Sequence, residues 1–372
     1  MRPWSVFLLG LALTACSTWQ PVERFDGWTL YAHEDTHADP QVWNAAYAPA
    51  YEAVEELLGP FESSVRVHAL KDGTPTPLGT DAVQMVPGIG ATRVRAWHAR
   101  GDGLFTPPSG VYAGTPDPGT AAHELVHARC SELDPNLPLW FEEGVACVVG
   151  DGILDNGEWI VDGYACWPVH ELRNERLLDD ELAKLLKVRA EDGTDTRENV
   201  LVHFIGWAIV FDLYRTEGGL RFHDWRARYK RGISVQEARE RMERSISTAV
   251  EESWLLRLEH ADRRVRLATS KGLWKLESKL AMEAMVDRME LEQDPEVKAS
   301  LAINALSVAG ETRVGRDLSR RMWRLVGPAL RTLELPEPAE NKALRDLWKS
   351  FRWNTNVSSR QALEGLRRFW AE

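Results

Sequence analysis

Two histidines four residues apart, His123 and His127 in the string HELVH, are the feature that most constrains this chain. On a helix this spacing places both imidazoles on one face, one turn apart, where both can bind a single zinc ion. Glu124 then lies beside the metal as a candidate general base. The preceding residues predict such a helix, because Asp117 can cap its first turn and Pro118 suits its first position.

A second helix is predicted to bring a third ligand to these histidines. The stretch DPNLP at 134–138 is rich in helix breakers, and the string LWFEEGVA that follows begins a helix that runs to Gly150. A catalytic zinc site needs three protein ligands and one open position for water. A carboxylate on an antiparallel neighbouring helix is well placed to be the third ligand.

HELVH followed by PLWFEEGVA resembles the gluzincin metallopeptidases, in particular the peptidase MA-like families, whose third zinc ligand is the Glu of a W-x-x-E-G element. The resemblance implies that Zn²⁺ is bound by His123, His127 and Glu143. It makes Glu124 the catalytic base. It also implies an α+β fold, with a zincin-like domain built from a small mixed sheet and active-site helices. Glu142 points about 100° away from Glu143 on a helix and is not expected to bind the metal.

The activity that the resemblance implies is hydrolysis of peptide bonds in proteins or peptides outside the cytoplasm. Only fifteen residues separate His127 from Glu143 and no G-x-M-E-N element occurs upstream, so an aminopeptidase is disfavoured. Cys147 stands where thermolysin-like enzymes keep a carboxylate, so the residues that support the ligands must differ. Two other interpretations remain open. His123 and His127 could be ordinary polar residues on a half-exposed helix that bind no metal, or the site could bind zinc but have lost catalysis.

The first sixteen residues, MRPWSVFLLGLALTAC, have the charge, apolar core and small residues of a signal peptide. The string LTAC resembles a bacterial lipobox, which implies removal of residues 1–15 and attachment of a diacylglyceryl group to Cys16. By resemblance to Gram-negative lipoproteins without Asp at the next position, Ser17 indicates the outer membrane of the cell envelope. Residues 16–24 would form the tether. A soluble secreted product is the alternative.

Charge and cysteine content narrow the partners further. A formal net charge of −11 argues against nucleic acid and against adsorption to anionic lipid by charge alone. The expected partners are a protein or peptide substrate and the membrane, reached through the lipid on Cys16. Three more cysteines in an export context predict one disulfide and one free thiol, with a bridge from Cys166 to either Cys130 or Cys147 favoured.

The mature chain is long enough for two domains, and sixteen Trp with 44% hydrophobic residues can fill their cores. We expect the metallopeptidase domain over 25–258 and an all-α region over 259–372. The strings DRRVR at 262–266 and DPEVK at 294–298 each precede an apolar helical run and resemble degenerate HEAT-type repeats. A plain helical bundle is the alternative. If the zinc site is catalytically inactive, we expect the protein to act as an interaction or scaffold protein of the envelope through this helical region.

Alternating segments predict a small mixed sheet ahead of the active-site helix. The expected strands are 25–30, 64–70, 82–86, 92–97 and 110–113, with a helix from 39 to 58. In zincins the strand near the metal offers its free edge to an extended peptide, so SGVYA at 109–113 is the candidate substrate strand. Val111 and Tyr112 are its expected substrate-binding residues. An internal strand is the alternative.

The apolar stretch NVLVHFIGWAIVFDLYR at 199–215 predicts a buried helix. Shorter helices are expected at 220–229, 235–245 and 248–258, a succession that again resembles peptidase MA-like domains. In that family the first of these helices begins with a Tyr that faces the zinc, and His203 occupies its place. We expect His203 to be a catalytic residue that stabilises the oxyanion. The alternative is a core histidine whose ring is satisfied by a backbone carbonyl.

Overall fold

The computed structural model describes residues 19–331, apart from gaps at 34–35, 71–82, 87–89, 94–95, 100–108, 115, 156, 162–176, 190–195, 274–277 and 312–315. Cys16 and Cys166 lie outside the described residues. The chain divides into two compact units, residues 1–163 with 178–238 and residues 164–177 with 239–372. The boundary expected at 258/259 falls inside the second unit. A small mixed sheet accompanied by many helices agrees with the α+β class.

The first unit holds all the described strands and the helices around them. The strands are β1 (Trp19–Arg24), β2 (Trp28–His33), β3 (Val65–Ala69), β4 (Val83–Val86), β5 (Gly90–Arg93), β6 (Ala96–Ala99), β7 (Gly110–Ala113), β8 (Ile153–Asp155) and β9 (Glu158–Ile160). The helices are α1 (Pro40–Leu58), α2 (Pro118–Leu133), α3 (Leu139–Gly150), α4 (Asp179–Leu185), α5 (Thr196–Glu217), α6 (Phe222–Tyr229) and α7 (Val235–Ser245), of which α7 runs on into the second unit.

Five strands form one sheet in the order β1-β2-β3-β7-β6. The inner pairs β2–β3 and β3–β7 are parallel, and the outer pairs β1–β2 and β7–β6 are antiparallel. Leu30, Val67 and Val111 are neighbours across the sheet and are fully buried. The helix α2 packs against β6 and β7, so the sheet supports the helix that carries the HELVH string.

The sheet begins earlier than the sequence predicted. Residues 19–24, assigned to the tether, form β1 and pair with β2. This edge strand gave no alternating signal, because residues 20–24 are all exposed. Pro21 is tolerated there since an edge strand leaves some of its backbone N–H groups without a partner strand. The strand expected at 25–30 lies at Trp28–His33.

The predicted free edge of β7 is wrong. Val111 pairs with Val67 of β3 on one side and with His98 of β6 on the other, so both backbone edges are occupied. Val111 and Tyr112 are also buried, with 0% and 2% exposure. They therefore cannot pair with a substrate backbone as expected, and the internal-strand alternative is right. Single-strand periodicity does not reveal which strand becomes the edge, and β6 takes that position.

An aromatic row crosses the other face of the sheet. The His68 ring stacks on Tyr112 at 4.3 Å and on Tyr31 at 5.2 Å, while Trp19 meets it edge-on at 4.8 Å. His68 is 2% exposed, and among the described residues neither of its ring nitrogens has a hydrogen-bond partner. Burial, assisted by the charge of Arg66, lowers the pKa of His68 to about 4, so the ring is neutral near pH 7. The row thus attaches the start of β1 to the sheet by apolar contact.

The second unit consists, in its described part, of helices. They are α8 (Thr248–Leu255) with a 3₁₀ turn (Leu256–Glu259), α9 (Arg263–Gly272), α10 (Lys279–Leu291), α11 (Pro295–Glu311) and α12 (Arg316–Arg331). The helix α11 packs against α9, α10 and α12, and α10 packs against α12. Successive helices therefore stack in layers around one core.

One contact recurs in both repeat-like motifs of this unit. Arg266 donates to the carbonyl of His260 at 2.8 Å, and Lys298 donates to the carbonyl of Glu292 at 3.3 Å, six residues back in each case. The two motifs thus make equivalent contacts; the HEAT-type interpretation stays a prediction.

Glu292 is a buried carboxylate in this unit. Burial alone would raise the pKa of Glu292, but hydrogen bonds led by the one from Arg266, with Arg288 also contributing, lower it to about 2.

Two pairs of glycines set how closely the site helices approach. A Cβ on Gly144 of α3 would lie 2.3 Å from the carbonyl oxygen of Gly206 in α5, and one on Gly206 would lie 2.1 Å from that of Trp140. A Cβ on Gly119 of α2 would lie 2.6 Å from the carbonyl oxygen of Gly150 at the end of α3. Backbone meets backbone at both crossings, so α2, α3 and α5 are held too close together for any side chain at these positions.

We predict that Gly206→Ala separates α3 from α5. The clash is with backbone atoms, which cannot move aside, so unfolding free energy should fall by at least about 2 kcal/mol. Thr216→Ala, at an exposed position of the same helix, should change it by less than about 0.5 kcal/mol. Chemical denaturation of both variants measures this. Equal stabilities would show that the helix crossing is not tightly constrained.

Candidate metal centre

The helix α2 forms where its caps predicted it and presents both histidines toward one point. The carboxylate of Asp117 accepts from the Thr120 backbone amide at 2.8 Å, and Pro118 takes the first turn. The Nε2 atoms of His123 and His127 lie 3.2 Å apart. The i, i+4 spacing has therefore produced the paired imidazoles that it predicted.

The helix α3 brings Glu143 to the same point. Its Oε2 lies 3.2 Å from Nε2 of His127 and 3.6 Å from Nε2 of His123. The three side chains form a group whose donor atoms all lie within 4.8 Å of one another, the arrangement expected of metal ligands. Glu143 Oε2 is buried and has no hydrogen-bond partner of acceptable geometry, although imidazole nitrogens surround it.

These spacings fit a single divalent cation. Ligand atoms at about 2.0–2.1 Å from a tetrahedral zinc lie about 3.3 Å from one another. The three observed separations, 3.2, 3.2 and 3.6 Å, are close to that value. A buried carboxylate oxygen without a hydrogen bond is costly unless it meets a cation. Two imidazoles and one carboxylate suit Zn²⁺, and other divalent transition metals as well.

Glu142 supports the ligand His127 from behind. Its Oε1 lies 2.9 Å from Nδ1 of His127, and both side chains are buried. Because a carboxylate accepts, Nδ1 carries the proton, and Nε2, which faces Glu143, is the nitrogen that can bind a metal once it has released its own proton. A carboxylate at this place fixes the tautomer of a metal-binding histidine. Glu142 is thus not in the ligand group, as expected, but its contact with His127 was missed.

His203 lies beside the three ligands without joining their group. Its Nε2 is 2.8 Å from Glu143 Oε2, and its ring stacks parallel to that of His123 at 6.0 Å. Its Nδ1 is 2.7 Å from the carbonyl of Asn199, which can only accept, so Nδ1 carries a proton. A backbone carbonyl thus satisfies one ring nitrogen, as the core-histidine alternative predicted. The other ring nitrogen, however, faces the cluster and can donate only when the ring is an imidazolium.

Electrostatics couple these groups strongly. Burial would lower the pKa of His127, but Glu143 and Glu142 raise it well above its usual value. Burial would raise the pKa of Glu143, but His203 and His127 hold it well below its usual range. For His203 burial again lowers the pKa, and the Glu143 carboxylate more than offsets this. The carboxylates and imidazoles of the cluster therefore favour one another's charged forms.

Glu124 is buried next to this cluster. It is 7% exposed, and burial raises its pKa; Glu143 pushes the pKa in the same direction, whereas the neighbouring imidazoles oppose it. A carboxyl with a raised pKa can take up and release a proton closer to neutral pH than an ordinary glutamate can. Glu142 and Glu143 are buried as well, so α2 and α3 bury three carboxylates between them.

Cys130 and Cys147 are both buried, and no disulfide joins them to each other. The favoured bridge to Cys166 cannot be followed, since Cys166 lies outside the described ranges. In the part of the chain that the structure describes, no helix has the length and apolar character needed to cross a bilayer.

Comparisons with known protein families, with curated protein sequences and with solved structures found no match to this chain.

Glu142 gives a direct test of the cluster as a metal site. We predict that Glu142→Gln weakens zinc binding about 10- to 100-fold, since a neutral amide supports the His127 imidazole less well than a carboxylate. Glu158→Gln, an exposed change on the β8–β9 hairpin, should leave the affinity unchanged. Competition with a chromophoric chelator measures both dissociation constants. An affinity of Glu142→Gln within twofold of the unaltered protein would contradict the supporting role.

Proposed function

We propose that this protein is a zinc-dependent peptidase of the gluzincin type, exported and anchored by lipid on Cys16. The observation that carries the proposal is the three-ligand group of His123, His127 and Glu143, with a buried glutamate next to the first histidine. A zincin-like fold belongs to the same proposal. It is supported by a mixed sheet that packs against the helix bearing the two histidines, followed by the helix bearing Glu143.

The ligand count favours catalysis over a structural metal. Structural zinc sites close with four protein ligands, whereas catalytic sites keep one position open. Among the residues that the structure describes, the group contains three, and His203, whose Nε2 also faces Glu143, is not one of them. When bound, zinc supplies Lewis-acid chemistry: it polarises a carbonyl oxygen and lowers the pKa of its water to about 7.

Glu124 moves the proton in the proposed reaction. It takes a proton from the water that attacks the peptide carbonyl, then transfers that proton to the amine nitrogen as the C–N bond breaks. Burial suits both steps, because it raises the carboxyl pKa toward the working pH. No proton is gained or lost overall, and the carboxylate is regenerated.

His203 provides a donor for the charge that develops on the carbonyl oxygen. Its Nδ1–H is held by Asn199, which directs Nε2 toward the cluster. Glu143 favours the charged form of the ring, the form in which Nε2 donates. A fixed donor of this kind is typically worth a factor of about 10² to 10³ in turnover.

A second candidate function uses the helical unit. The recurring contact of Arg266 and Lys298, and the layered helices around it, favour a surface that binds other proteins. On this account the chain is an inactive, zincin-like scaffold of the envelope. A structural role has no use for Glu124, however, and that residue is present and buried beside the cluster.

We predict that Glu124→Gln abolishes peptide cleavage while zinc stays bound. The amide occupies the same space but cannot accept the proton, so kcat should fall at least about 100-fold.

His203→Ala should lower kcat at least tenfold with little loss of zinc or thermal stability. Zinc-loaded protein would be incubated with peptides and envelope proteins, and new termini would be identified by mass spectrometry.

Glu132→Gln is the matched control, since this carboxylate lies on the same helix but bonds Arg129 instead of the cluster. Its turnover should equal that of the unaltered protein. Undiminished cleavage by Glu124→Gln, or no cleavage by the zinc-loaded protein, would contradict the peptidase proposal. A His203→Ala protein that is destabilised but fully active would remove His203 alone from the mechanism.

A further inference from the structure

We propose that the end of the first unit that carries Trp19 lies against the lipid bilayer, and that the substrate is a membrane-anchored polypeptide cleaved close to the membrane surface. This inference rests on the proposed lipid anchor and peptidase activity. It concerns where the site is held and which class of substrate can reach it.

The tether between lipid and fold is very short. Only Ser17 and Thr18 separate Cys16 from Trp19, the first residue of β1. Consecutive Cα atoms are about 3.8 Å apart, so the Cα atoms of Cys16 and Trp19 are at most about 11 Å apart. The polar layer on each side of a bilayer is about 5–8 Å deep. Acyl chains on Cys16 therefore hold the start of β1 at the membrane surface.

Trp19 is fixed in the sheet, so the tether does not continue into the fold as a flexible segment. Its backbone pairs with His33, and its ring meets His68 at 4.8 Å and Tyr112 at 5.9 Å. The aromatic row reaches from β1 across to β7. The lipid therefore holds near the bilayer the end of the sheet at which Trp19 lies.

Strand directions place the metal ligands near that same end. Because β1 runs antiparallel to β2, and β2, β3 and β7 run parallel, Trp19 lies at the carboxyl end of β7. The chain leaves β7 at Ala113 and enters α2 at Pro118. At about 1.5 Å of rise per residue, His123 is only about 8 Å along that helix.

A hairpin with exposed apolar side chains lies beside the start of α2. The strands β8 and β9 form it, and the Trp159 ring packs 3.6 Å from the Cβ position of Gly119. Trp159 also donates to the carbonyl of Val149 at 2.8 Å, which fixes the hairpin to α3. Leu154 and Ile160 on this hairpin are each 40% exposed.

Exposed apolar side chains on the hairpin beside the start of α2 gain free energy where they enter the interfacial layer. The chain is acidic, so apolar contact rather than charge would hold this end down. A site near the start of α2, at the end of the sheet held by the lipid, meets membrane-anchored chains at high effective concentration. Peptides free in solution lack this advantage, which makes juxtamembrane segments the preferred substrates.

Depth-dependent quenching tests the orientation without reference to activity. A fluorescent coumarin amino acid would replace Leu154, or, as the control, Glu62. Glu62 is exposed and precedes β3, at the opposite end of the sheet. The full-length lipidated proteins would be placed in phosphatidylethanolamine and phosphatidylglycerol vesicles that contain brominated lipid. We expect at least threefold stronger quenching at position 154. Equal or reversed quenching would overturn the proposal.

Lengthening the tether tests the consequence for substrates. Twelve Gly and Ser residues inserted between Thr18 and Trp19 span about 20 Å on average. Two membrane-anchored reporters would carry one cleavage sequence, placed either next to the bilayer or on a long spacer far from it. The unaltered protein should cleave the nearer site at least fivefold faster, and the insertion should remove this preference while a soluble peptide is cleaved as before.

A preference that is absent, or that survives the insertion, would contradict the substrate class. Failure of every protein to cleave even the soluble peptide would instead contradict the peptidase proposal, while quenching would still decide the orientation. Cys16→Ser should leave the vesicles altogether; if it stays bound, another segment anchors the chain and the short-tether argument is wrong.

Discussion

The backbone contact between α3 and α5 at Gly144 and Gly206 is the constraint on which the candidate centre depends. Gly144 directly follows Glu143, and Gly206 lies one helical turn after His203. With no side chain between the helices, the Glu143 carboxylate comes within 2.8 Å of the His203 ring. The crossing of α2 and α3 at Gly119 and Gly150 likewise lets His123 lie close to the end of α3. Three helices therefore converge because glycines remove the side chains that would separate them.

That convergence concentrates charge in a buried place. Glu124, Glu142 and Glu143 are all buried, and three imidazoles face them. Buried carboxylates are tolerated only when they are paired, protonated or bound to a cation. A divalent ion at the centre of the ligand group would satisfy Oε2 of Glu143, which is buried and faces imidazole nitrogens. The same burial raises the pKa of Glu124, so one packing arrangement supports both metal binding and proton transfer.

Local sequence patterns predicted much of this centre. The i, i+4 spacing of His123 and His127, the caps of α2 and the loop before α3 predicted two paired imidazoles and a second helix beside them, because each acts over a few residues. The resemblance to a W-x-x-E-G element then pointed to Glu143. Contacts made across the fold were not predictable in the same way. The neighbour of β7 on its outer side, and the partner of Glu142, depend on which distant elements pack together, and no local pattern encodes them. The strand β1 was missed since an edge strand with exposed residues lacks alternation.

The helical unit also combines features that local sequence patterns predicted with features that depend on long-range packing. The two similar motifs at 262–266 and 294–298 were visible in the sequence, and their equivalent contacts through Arg266 and Lys298 follow from that repetition. The position of the unit boundary, by contrast, depends on which helices pack with which, and no local pattern encodes it.

The proposed centre is a metal held by three protein ligands, with one position left for a small molecule. Zinc K-edge X-ray absorption of the zinc-loaded, full-length protein measures the ligand set directly. We expect one zinc per chain, bound by two imidazoles, one carboxylate and one oxygen that does not come from the protein, with an unchanged spectrum in His203→Ala. A third imidazole that disappears in His203→Ala would mean a closed site of four protein ligands, and would contradict the catalytic assignment.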